Sequence, residues 1–133
     1  ATDWVAAHGG TAAATPREAA QNADIVMVCV GNDDDVRSVI YGNDGVLAGI
    51  AHAGAQGGIV VDHTTASATL ARELSKACTD KGVGFIDAPV SGGQAGAENG
   101  QLSVMCGADD QQVFDRAYPV LMSYAKICKR LGN

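Results

Sequence analysis

Short apolar runs alternate along this chain with stretches whose apolar residues recur at helical spacing. The most apolar run, Asp24-Ile-Val-Met-Val-Cys-Val30, has no period-two alternation. That pattern predicts a strand buried on both faces, as in a parallel sheet. Gly57-Gly-Ile-Val-Val-Asp62 predicts a second such strand, Val83-Gly-Phe-Ile86 a third, Leu102-Ser-Val-Met-Cys106 a fourth, and residues 125–131 a last, weaker one. Residues 68–81 carry Leu70, Leu74 and Ala77 on one helical face and stop at Gly82. Residues 109–124 predict a helix opened by acids, with Val113, Phe114, Ala117 and Leu121 inward and a kink or end at Pro119. Asp33, Asp34 and Asp35 precede residues 36–41, where acidic side chains suit the dipole of a helix N-terminus. Residues 44–50 predict a short helical turn.

At the front, residues 1–9 read as the last turns of a helix stopped by Gly9-Gly10, with Trp4 and Val5 as apolar contacts. Thr11-Ala-Ala-Ala14 is a weak strand candidate. Thr15, Pro16 and Glu18 then give a capped helix start running to about Asn22. This β-and-α alternation predicts one α/β domain over residues 1–133. The expected fold is Rossmann-like, with a mostly parallel sheet, helices on both faces, and ligand sites at the carboxyl ends of the strands. Three such loops follow Val30, Asp62 and Val90. The sheet is expected to be incomplete. Residues 25–30 read as a central strand, yet only residues 59–62 offer a good neighbour, which leaves one edge bare. Unpaired backbone groups at about 1–3 kcal/mol each would rival a domain stability of about 5–15 kcal/mol. Either a longer polypeptide or a second copy is expected to cover that edge.

Composition narrows the class. A chain of 133 residues with 47% apolar residues can bury a core. The net charge is −6 with no Lys/Arg patch, which argues against nucleic acid or an anionic membrane as partner. No apolar run approaches the roughly 20 residues of a membrane span and no signal-like segment opens the chain, so a cytoplasmic protein is expected. Cys29, Cys78, Cys106 and Cys128 form no C-x-x-C pair, and buried thiols are expected. His8, His52 and His63 lack metal-ligand spacing, so no metal is expected. His63 is expected to make a structural hydrogen bond, and Asp62 and Asp87 to form turns at strand ends.

The candidate chemistry lies in Asp87-Ala-Pro-Val-Ser-Gly-Gly-Gln-Ala-Gly-Ala-Glu-Asn-Gly-Gln-Leu-Ser-Val-Met-Cys-Gly107, read as strand, glycine loop, strand. Glycines let backbone N–H groups face a carboxylate or phosphate without a Cβ in the way, and Ser91 adds a hydroxyl. The stretch resembles the substrate-binding signature of the β-hydroxyacid dehydrogenases, the 3-hydroxyisobutyrate dehydrogenase family, D-A-P-V-S-G-G-x-x-G-A-x-x-G-x-L-x-x-M-x-G. Every fixed position is met.

The resemblance implies that Ser91, Gly92 and Gly93 bind a substrate carboxylate, and that Val30, Gly31, Asp35 and Thr65 line the crevice of an NAD or NADP cofactor. Gly31 stands where many members have Pro, and Thr64 where they have Ser. Thr65 is equally suited to capping the helix that follows. The implied activity is hydride transfer between NAD(P) and a small β-hydroxy acid or its semialdehyde.

Two family parts are not found in the chain: a G-x-G-x-x-G before Asp24, and the G-x-G-x-x-x-K-x-x-N-N segment with the catalytic Lys. Lys126 and Lys129 do not match it, so no catalytic residue is assigned. The chain is therefore expected to be part of a nucleotide domain, inactive alone. The other expectation is a catalytically inactive truncated product that forms a homo-oligomer and keeps at most residual small-acid or cofactor binding.

Overall fold

The computed structural model describes residues 1–50 and 57–133; His52 lies outside the described residues. The elements in order are α1 (Thr2–His8), α2 (Pro16–Ala20), β1 (Ile25–Val28), α3 (Asp33–Ile40), α4 (Val46–Ile50), β2 (Ile59–Asp62), α5 (Ala68–Thr79), β3 (Gly84–Asp87), β4 (Val90–Ser91), α6 (Gly93–Glu98), β5 (Leu102–Gly107), α7 (Gln111–Leu121) and β6 (Ala125–Gly132). The strands form one six-stranded sheet in the order β1-β2-β3-β5-β4, with β6 paired to β5. The β1–β2, β2–β3 and β5–β6 pairs are parallel. β5 runs antiparallel to both β3 and β4. This is the mixed, mostly parallel Rossmann-like sheet that the alternating pattern predicts.

Side-chain alternation sorts the sheet into two cores. Ile59 and Val61 point to the face covered by Phe114, Ala117 and Leu121 of α7. Val60 points to the other face, under Ala20 of α2, Val36 and Ile40 of α3, Val46 and Leu47 of α4, and Leu70 and Leu74 of α5. All four residues of β2 are buried because both faces are covered.

β1 departs from expectation. It pairs with β2 alone, and of its residues only Val28 is buried, while Met27 is 37% exposed. The Ile59 amide donates to the Asp24 carbonyl and the His63 amide to the Val28 carbonyl. Ile25 and Met27 therefore turn their backbone groups to an edge that no strand pairs among the described residues.

Four local expectations are corrected. Residues 11–14 form no strand, since nothing in the described sheet lies beside them. Trp4 is 61% exposed and packs on its own helix neighbour His8, because no residue of α1 reaches a core. Cys29 is exposed, lying past the end of an edge strand, whereas Cys78, Cys106 and Cys128 are buried. The glycine stretch holds a strand, β4, and a short helix, α6, where a plain loop was expected. Pro119 is accommodated in the last turn of α7, which ends two residues later at Leu121.

Candidate functional site

β1, β2 and β3 run parallel, so the segments after Val28, Asp62 and Asp87 leave the sheet at the same end. Hydrogen bonds knit these three turns together. Asp62, 2% exposed, accepts from the Thr64 amide and closes the turn after β2. Thr64, also 2% exposed, accepts from the Val30 amide at 3.1 Å and so fixes the turn after β1. The Asp62 carbonyl accepts from the Ala88 amide at 2.8 Å. The His63 Nδ1 donates to the Ala88 carbonyl at 2.6 Å, and its Nε2 lies 2.7 Å from the Tyr124 hydroxyl. The expected structural hydrogen bond of His63 is thus present, with a second beside it. Farther out, Asp33 of α3 accepts from the amide and hydroxyl of Ser67, the N-cap of α5. Those two bonds, the hydroxyl's first, hold the Asp33 carboxyl below its ordinary range.

On this frame Val30 is half-buried, while Gly31, Asp35 and Thr65 are exposed. A Cβ on Gly31 would stand 2.6 Å from the Asp35 carboxylate, so the bare glycine is what lets Asp35 lie against the turn. Ser67, and not Thr65, caps α5, accepting from the Leu70 amide at 3.1 Å. That leaves the Thr65 hydroxyl with no hydrogen-bond partner among the described residues.

Ser91, Gly92 and Gly93 sit beyond the end of β3 and are all exposed. β3 and β4 are one strand interrupted at Ala88-Pro89, since Asp87, Val90 and Ser91 pair with Gly107, Val104 and Ser103 of β5 in one continuous register. Pro89 has no N–H for this ladder, but its carbonyl accepts from the Met105 amide at 3.1 Å. Ser91 therefore commits its backbone to β5 and offers its hydroxyl. Gly92 and Gly93 adopt φ of 129° and 61°, turning the chain into α6, whose first amides have no partner within the helix.

Asp87 is half-buried, and burial first, then the charge of Asp62 on the neighbouring strand, raises its carboxyl above the ordinary range. It lines a cleft of about 420 Å³ between α5 and the end of β3, with Arg72, Ser75 and Lys76. None of Val30, Gly31, Asp35, Thr65 or Ser91 to Gly93 lines that cleft, nor a second one of about 900 Å³ between α5 and the start of α7. The residues assigned from the motif lie instead on the open rim of the sheet. Sequence named Thr64 only as a departure from the family pattern and Asp33 only as one of three acids at a helix start, neither as part of this frame. Tyr124 carried no signal and is brought in from 61 positions away.

A mostly parallel sheet whose turns converge at one carboxyl end defines a Rossmann-like domain. Residues 1–132 match the family described as the NAD binding domain of 6-phosphogluconate dehydrogenase, and the chain belongs to that family. It is 54% identical over 132 residues to an uncharacterized oxidoreductase of Shewanella frigidimarina, covering 99% of this chain and 44% of that protein. It is 37% identical over 120 residues to the NAD-dependent L-serine dehydrogenase of Pseudomonas aeruginosa, covering 90% and 39%. Among solved structures it resembles Mycobacterium tuberculosis 3-hydroxyisobutyrate dehydrogenase with L-serine, with a TM-score of 0.84, 33% identity, and coverage of 98% of this chain and 42% of that one. The chain thus spans less than half the length of these relatives. Its cofactor class is NAD(P), and its role is that of an oxidoreductase's nucleotide-binding domain.

Proposed function

We propose that this chain is the part of an NAD(P)-dependent oxidoreductase that walls the nicotinamide and grips the carboxylate of a small β-hydroxy acid or its semialdehyde. The observation that carries the reading is the position of the serine-glycine turn. It leaves β3 at the same end of the sheet as the Val30 and Thr65 turns, and the Thr64 and Ala88 hydrogen bonds tie the three together. The residues fit one side of a cofactor: Val30 is half-buried and apolar, Gly31 makes room for Asp35 beside the turn, and the Thr65 hydroxyl has no partner among the described residues. When bound, NAD(P) supplies the hydride acceptor or donor. Ser91 would hold one carboxylate oxygen of the acid through its hydroxyl, and the Gly92 and Gly93 amides the other. Asp35, beside Gly31, would limit how the cofactor enters.

No Lys of this chain is assigned the alcohol proton, because none lies in a G-x-G-x-x-x-K-x-x-N-N segment, and Lys126 and Lys129 lie exposed on β6. The 133-residue chain is accordingly expected to bind cofactor without turning over. Calorimetric titration with NAD⁺ and NADP⁺, alongside an assay with 3-hydroxyisobutyrate, tests this. Heat of binding without turnover supports the reading, and turnover by the chain alone contradicts the assignment of no catalytic residue.

The open edge of β1 favours a second reading, in which two copies pair Ile25 to Val28 across a two-fold axis and the protein is a homo-oligomer without activity.

A further inference from the structure

We propose that His63 is a positioning residue, which fixes the entry to the serine-glycine turn through the Ala88 carbonyl, and that Tyr124 holds its imidazole in the tautomer that does so. The substrate half of this inference rests on the carboxylate grip proposed above. Between Asp87 and Ser91 the turn is held at few points. The Ala88 amide goes to Asp62 of β2, the Pro89 carbonyl to Met105 of β5, and the Ala88 carbonyl to His63 Nδ1 at 2.6 Å. Of these, the last is the one made by a side chain.

A carbonyl only accepts, so Nδ1 carries a proton. In the neutral ring Nε2 is then an acceptor, and the Tyr124 hydroxyl, 2.7 Å away, donates to it. Tyr124 is suited to that task. Burial, with smaller contributions from the Cys128 and Cys106 thiols, pushes its phenol up to about 12, so it keeps its proton. Its ring also meets the imidazole edge-on, with centroids 5.7 Å apart and planes at 86°, and its hydroxyl lies 3.7 Å from the Met27 sulfur.

The chain of contacts therefore runs from β1 through the start of β6 and the end of β2 to the turn after β3. An apolar side chain at position 63 would fill the same space against Tyr124. What it would not supply is the N–H that Ala88 needs, so the imidazole is there for its hydrogen bonds. By locking Ala88, His63 sets where Ser91 and the Gly92 and Gly93 amides stand relative to the Val30 and Thr65 turns.

The test uses the full 133-residue chain. Long-range proton–nitrogen correlation at about pH 8 is expected to show His63 protonated on Nδ1 and bare on Nε2. The reverse tautomer overturns the proposal. Affinities for L-serine and 3-hydroxyisobutyrate are then measured with NAD⁺ saturating, and for NAD⁺ by itself. His63→Phe is expected to weaken acid binding about tenfold, while NAD⁺ binding stays within about twofold. His63→Asn, whose side-chain N–H sits where Nδ1 does, restores most of the loss. Unchanged acid binding in His63→Phe, or acid and NAD⁺ affinities falling together, overturns the positioning role. If the unsubstituted chain binds NAD⁺ but neither acid, the carboxylate grip is what fails. The latch is then decided by the Ser91, Gly92 and Gly93 amide signals, which must shift in His63→Phe and return in His63→Asn.

Discussion

Single residues at the carboxyl end of the sheet show how closely the turns depend on one another. Thr64 is buried with its hydroxyl on the Val30 amide, and replacing it would leave that amide without its partner, a loss of about 1–3 kcal/mol. Asp87 acts in the opposite sense. Its carboxyl is raised by burial and by Asp62, so the folded state holds its proton more tightly than the unfolded chain does. Stability from this group is highest below the ordinary value of 3.8, falls as pH rises through the window between that value and the raised folded one, and stays reduced above it. Asp87→Asn is therefore expected to raise the urea midpoint at neutral pH, with the gain vanishing below about pH 3.8. An equal gain at every pH would show that the effect is not one of charge. Asp33 has the reverse sign. Its lowered carboxyl favours the fold above the ordinary value of 3.8 and loses that contribution as pH falls through the still lower folded value.

At the scale of elements, helix-on-helix contact leaves little room where glycines meet neighbouring backbone. A Cβ on Gly49 of α4 would run into the Arg17 carbonyl of α2 and stand 3.1 Å from the Ala20 Cβ. Gly49→Ala is expected to cost about 1–3 kcal/mol in urea denaturation, although alanine is the better helix former by about 1 kcal/mol. A neutral or stabilising result would mean that α2 and α4 slide apart freely.

Elements were also where the sequence was most readable. β2, α5 and α7 follow from apolar runs and periodicity and α3 from its acidic first turn, because these signals are local, whereas the cap of α5 proved to be Ser67 and not Thr65. Less readable was anything set by neighbours distant in the chain. The apolar run of β1 marks the strand, and the lack of a second neighbour marks its bare edge, but the uniform apolarity predicted burial on both faces and hid its partial exposure. α6 was hidden because Gly93-Gln-Ala-Gly-Ala-Glu98 has too few apolar residues to show a helical face. The motif singled out Ser91, Gly92 and Gly93 as candidates, but nothing near position 63 foretold that Tyr124 would reach it.

For the whole molecule, the sheet is covered on both faces around β2 and, among the described residues, left open along β1. Sedimentation of the chain separates the two readings of that edge. A concentration-dependent dimer that is lost on Met27→Lys supports pairing of β1 with a second copy, and a monomer at all concentrations counts against it. The proposed carboxylate grip rests on a different property of the whole, the convergence of three turns at one end of the sheet. The most direct measurement is an amide-resolved NMR titration of the NAD⁺-saturated chain with L-serine. The account predicts the largest shifts at Ser91, Gly92 and Gly93, with smaller ones at Val30 and Thr65. Shifts confined to the clefts beside α5, or none in the serine-glycine turn, would contradict it.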